Sequence, residues 1–124
     1  MQWKEDAIDA FAPDAFELLI SAVGADYSEV ILVCEHGPGV VAVSAIYYTR
    51  AGAKKGVENF FDVADALKEK AAAFHAEFAR HGENFQSAKL VLNSDENLDI
   101  EFDYESMNKW DLVDRAQFPI QLCV

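Results

Sequence analysis

Positive charge is what this sequence has least of. Ten lysines and arginines stand against 22 aspartates and glutamates in 124 residues, a net charge of −12. A surface of that sign repels nucleic acid phosphates and anionic membrane lipids, so direct binding to either is excluded as the main role. A cationic partner is the natural complement. Cysteine is nearly absent as well: Cys34 lies inside an apolar run and Cys123 next to the last residue. Two thiols so placed fit a reducing compartment as packed side chains, with a Cys34 to Cys123 disulfide as the minor alternative, and neither is given a chemical role. No apolar run approaches the ~20 residues that a membrane-spanning helix needs. The opening MQWKEDAIDAF has acids where a secretion signal carries basic residues and an apolar core. A cytoplasmic protein is expected.

Catalytic and metal-binding signatures are missing too. His75 and His81 are six residues apart, whereas a helical metal pair needs a spacing of about four, so they read as solvated helix histidines. Cys34 and His36 share one strand face a full repeat apart, and no third orienting group accompanies them as nucleophile and base. Gly37-Pro38-Gly39 lacks the lysine and following helix of a phosphate loop, and Ser44 has no nucleophile elbow around it. The expectation is a protein that is not an enzyme and that uses no cofactor and no metal.

What the chain does have is apolar periodicity. About half the residues are apolar (52 %), enough for one domain over residues 1–124 to bury a core without staples, and no repeat or low-complexity linker divides it. Ile8, Phe11, Ala15, Leu18, Leu19, Ala22 and Val23 recur at helical steps from about residue 5 to 23. Pro13 interrupts that pattern and predicts either a kink or a second helix starting at Asp14, with Gly24 as the stop. SEVILVCEH and VVAVSAIYYT, separated by Gly37-Pro38-Gly39, predict an antiparallel hairpin at the centre of a sheet. The glycine- and lysine-rich stretch 50–56 reads as an exposed loop and the one basic patch. Val63, Leu67, Ala71, Phe74 and Phe78 form a narrow stripe on a helix over 62–81, capped by Asp62 and stopped at Gly82. AKLVLN, the turn Ser94-Asp95-Glu96-Asn97 and LDIEFDY predict a second hairpin. Trp110, Leu112 and Val113 then suggest a short helix before Pro119. The sum is an α+β fold, an antiparallel sheet of about four strands packed against helices in the order α-β-β-α-β-β-α.

The stretch LDIEFDYES carries the strongest functional signal. Asp99, Glu101, Asp103 and Glu105 alternate with Leu98, Ile100, Phe102 and Tyr104, so a strand here would set all four carboxylates on one face. From Asp95 to Asp114 there are eight acids and Lys109 as the one base. Such a face either keeps an edge strand soluble or docks a partner's lysines and arginines. A divalent metal site is the weaker option, because alternate strand positions do not converge on one ion.

The hairpin SEVILVCEHGPGVVAVSAIYYT, the helix DVADALKEKAAAFHAEFARHG and above all KLVLNSDENLDIEFDYESMNKWDL resemble, over about residues 16–110, the YezG-like immunity proteins of bacterial polymorphic toxin systems. The resemblance implies an antitoxin that binds and blocks a cognate toxin, frequently a nuclease, and it carries no catalytic residues. Nuclease clefts are cationic, which matches an acidic inhibitor. The expected contact residues are Asp99, Glu101, Asp103 and Glu105, with Tyr104 and Trp110 as aromatic anchors that could equally belong to the core. The competing reading is a homodimeric binding or structural module that buries a sheet face carrying Tyr47 and Tyr48 between copies.

Overall fold

The computed structural model describes residues 2–24, 26–37 and 40–105. Two helices and five strands follow in the order α1 (Gln2–Val23), β1 (Glu29–Gly37), β2 (Val40–Tyr48), β3 (Lys54–Gly56), α2 (Phe60–Arg80), β4 (Ser87–Asn93) and β5 (Leu98–Asp103). The fold is α+β, and its single sheet is antiparallel with strand order β3-β2-β1-β4-β5. The expectation of about four strands is corrected to five, because residues 54–56 of the anticipated basic loop pair with residues 46–48 of β2. The element order is corrected accordingly. The anticipated final helix, with Leu112 and Val113, lies outside the described residues.

α1 is one continuous helix. Pro13 sits inside it, on the exposed side, where the lost amide and the ring's bulk meet solvent instead of a packed neighbour. Neither a second start at Asp14 nor a break is present. Ala7, Phe11, Ala15 and Leu19, four residues apart, are buried together with Ala12 and Phe16, giving a wide stripe that meets both α2 and the sheet. The helix ends at Gly24, whose φ of +87° suits glycine and whose N–H donates to the Ile20 carbonyl at 2.8 Å.

α2 starts two residues earlier than its periodicity suggests. Its N-cap is Asn59, in the left-handed region at φ 56°, ψ 32°, with no side-chain cap bond. Asp62 is therefore not the cap. Its backbone N–H donates to the Asn59 carbonyl, and its carboxylate lies in the first turn, where the helix dipole favours it. Gly82, at φ +82°, follows the C-terminal end as anticipated. The stripe of Leu67, Ala71, Phe74 and Phe78 is buried, with Phe60 and Ala64 extending it.

Register fixes which side of the sheet the helices cover. Leu90 lies opposite Leu32 on one side and Ile100 on the other, and Leu32 and Leu90 belong to the main core with the buried faces of α1 and α2. Since strand side chains alternate, Val30, Leu32, Cys34, Ala88, Leu90, Ile100 and Phe102 point toward the helices. An aromatic cluster closes this layer: Phe102 lies 5.0 Å from Phe85 and 5.1 Å from Phe78, between ring centroids. The opposite face holds a smaller cluster of Ile31 and Ile46, with Tyr48 and Val91 against it.

Candidate functional site

The same alternation places Asp99, Glu101 and Asp103 on the face away from the helices, in line with Val91, Lys89 and Ser87 of β4. Among the described residues, β5 is the last strand of the sheet on this side. Asp99 and Glu101 are exposed, and neither takes part in an ion pair among the described residues. They stand one strand repeat apart, at which two solvated carboxylates repel by about 0.6 kcal/mol before salt screening. Ladder bonds and packed Ile100 and Phe102 absorb that cost. Lys89, opposite Glu101, is the one base facing this row from the neighbouring strand.

The row of four is shorter than its sequence suggests. β5 ends at Asp103, and the chain turns so that the Glu105 N–H donates to Asp103 Oδ1 at 2.7 Å. Asp103 is half-buried, while Glu105 is exposed beyond the strand. Alternation alone could not reveal this, because the stop is an aspartate bonding to the backbone two residues on.

Tyr104 is exposed, at 45 % of its full accessibility, and is not a core residue. Its hydroxyl donates to Glu83 Oε1 at 2.8 Å, and Glu83 also pairs with Lys4 Nζ at 2.9 Å. Partial burial of the phenol and the adjacent carboxylate push its pKa up to about 12. Bonds from Lys4 and then Tyr104 hold the Glu83 carboxyl below its ordinary range. This small network links the start of α1, the turn after α2 and the end of β5. Trp110 lies outside the described residues.

The basic patch is remote from the acidic row. Lys54 and Lys55 lie on β3, at the other edge of the sheet, and four strand spacings separate the two edges by roughly 19 Å. Exposed charges at that distance are largely screened from each other. Lys54 and Lys55 leave Asp99 and Glu101 available.

The expectation of solvated helix histidines holds at His81, which is exposed, and is corrected at His75, which is half-buried. His36, 4 % exposed, stacks on His75 with centroids 4.3 Å apart, and both meet Phe85 edge-on. His81 stacks on Trp3 at 3.9 Å. His36 Nε2 is buried without a hydrogen-bond partner among the described residues, and burial, then proximity of His75, draws its pKa down to about 4. Burial lowers His75 too, against a backbone hydrogen bond to Phe85 that acts the other way. Parallel stacked rings direct their nitrogens within separate planes, so they are poorly disposed to share a metal ion. Cys34 is fully buried, and loss of solvent, then the nearby Glu35, pushes its thiol up to about 12. A thiol in that state is a packing group and a poor nucleophile. Tyr47 and Tyr48 do not share a face: Tyr47 packs on the main core and Tyr48 on the smaller cluster.

No protein-family model matches the chain, and no curated protein matches it. Among the described residues, no helix is long and apolar enough to cross a membrane.

Proposed function

We propose that this chain is a cytoplasmic immunity protein, an antitoxin that binds a cognate toxin with a basic surface, a nuclease domain being the best fit, and blocks it. The observation that carries the reading is the pair Asp99 and Glu101: exposed on an edge strand, and held by a strand whose other side is packed into the core. Carboxylates on a fixed strand lose little freedom on docking, and their field speeds the approach of a cationic partner. Such an inhibitor occupies the cleft that would otherwise receive phosphates. The likeness of KLVLNSDENLDIEFDYESMNKWDL to YezG-like immunity proteins agrees with this.

The test uses the gene's neighbourhood. A large secreted protein ending in a small basic domain is expected in the adjacent reading frame. Co-production of this chain should restore growth to cells making that domain, and the two purified proteins should form a complex that high salt weakens. Growth arrest despite co-production, with no complex at low salt, would remove the proposal.

A further inference from the structure

A second feature suited to a basic partner lies around the end of the β4–β5 hairpin from the acidic row. α1 and the hairpin enclose an open groove of about 390 Å³. Phe16 and Ile20 of α1 face Leu92 and Leu98 of the hairpin across its apolar floor, Leu92 and Leu98 being direct cross-strand partners. Among the described residues, its charged groups are Asp9 and Glu17 from α1 and Glu96 from the turn, and no basic side chain lines it. All three acids are exposed, and none is in an ion pair among the described residues. Pro13 also lines the groove, and because it has no N–H, the Asp9 carbonyl lacks its usual intrahelical donor. Every polar side chain that the described residues place along the groove is an acceptor, and every charge among them is negative.

That combination selects its occupant. An anionic or acceptor-rich ligand is repelled, and a purely apolar one leaves three carboxylates to be partly desolvated without compensation. A lysine or arginine beside an aliphatic side chain satisfies both requirements, since the cation meets the rim while the hydrocarbon covers the floor. From Asp9 to Ile20 the helix rises about 16 Å, the span of some five residues of extended peptide. The groove therefore suits a polypeptide segment better than a single small amine.

We infer that this groove receives a basic amphipathic segment of the partner protein, with an aliphatic side chain on Phe16, Ile20, Leu92 and Leu98 and flanking cations at Asp9, Glu17 and Glu96. The identity of that partner rests on the proposed antitoxin role; the chemistry of the groove does not. The probe is a fluorescein-labelled peptide of lysines and leucines, compared with an analogue carrying serine for every leucine. Anisotropy in moderate salt should show at least fivefold tighter binding of the leucine peptide. The combined change Asp9→Asn, Glu17→Gln and Glu96→Gln should weaken that binding about tenfold, and Asp99→Asn with Glu101→Gln less than threefold. Circular dichroism should show both variants folded.

Equal binding of the two peptides, or equal loss in the two variants, would mean that only the general acidic field acts, and would overturn the inference. A homodimer that the groove variant dissolves would assign the groove to a second copy and overturn it as well. If the peptide results hold while growth protection fails, the groove stands and the antitoxin role falls. Protection that survives the groove changes, with peptide binding absent, gives the reverse.

Discussion

Among the described residues, β3 closes one side of the sheet with three residues and two exposed lysines, whereas β5 closes the other with six residues in which packed hydrocarbon alternates with the exposed acids Asp99 and Glu101 and the half-buried Asp103. Both edges carry charge, and charge is a common device against edge-to-edge pairing of sheets. Only β5 is also tied into the core, through Ile100 and through Phe102 among Phe74, Phe78 and Phe85. Solubility alone requires the first arrangement. The second adds a rigid support beneath the carboxylates, which is what an interface uses to limit the entropy lost on binding.

The widest gap between the edges should appear when their anchoring is removed. Phe102→Ala is expected to cost about 2–3 kcal/mol, below the full range for buried aromatics because the ring is only partly buried. Lys54→Ala should stay within about 0.5 kcal/mol. Urea denaturation measures both, and equal losses would show that β5 is no better supported than β3.

A probe of the sheet centre leaves both edges intact. Folded His36 takes up its proton near pH 4 and the unfolded chain near 6.5, so between these values the unfolded state binds the extra proton and stability falls as pH drops. The loss at the acid end is expected to be about 1–2 kcal/mol, below the full value of the shift because a charged imidazole recruits solvent. His36→Phe should flatten this dependence. An unchanged slope of stability between pH 6.5 and 4.5 would place the acid sensitivity elsewhere.

Charge reversal then compares the edges as docking surfaces. Asp99→Lys with Glu101→Lys should slow association with a basic partner about tenfold at low salt, while Lys54→Glu with Lys55→Glu should not slow it. Stopped-flow rates across a salt series separate the two, and equal responses would make the whole molecule's charge responsible. The smallest effect is expected at Tyr104→Phe, where loss of an exposed bond to Glu83 should change stability by no more than about 0.5 kcal/mol.

Much of this architecture is legible from local pattern. The step of four from Leu67 to Ala71 and from Phe74 to Phe78 marks the buried side of α2, and the β-branched runs mark β1 and β2. Lys54-Lys55-Gly56 was not legible as a strand, because three polar and flexible residues pair only where β2 already offers an edge. The stacking of His36 on His75 was hidden for a related reason: their partnership joins a strand and a helix 39 positions apart in sequence. The groove acids Asp9, Glu17 and Glu96 carried no signal either, being ordinary surface residues until α1 and the hairpin come together.

The sequence by itself determined the acidic balance, the helix faces and the alternation that divides β5 into an apolar and a charged side, since these follow from side-chain chemistry and backbone period alone. Tertiary structure decided which acids stand free, where the lysines lie relative to them and that β5 is an edge. Those are matters of distance and solvent access between segments far apart along the chain, and strand order and register set them.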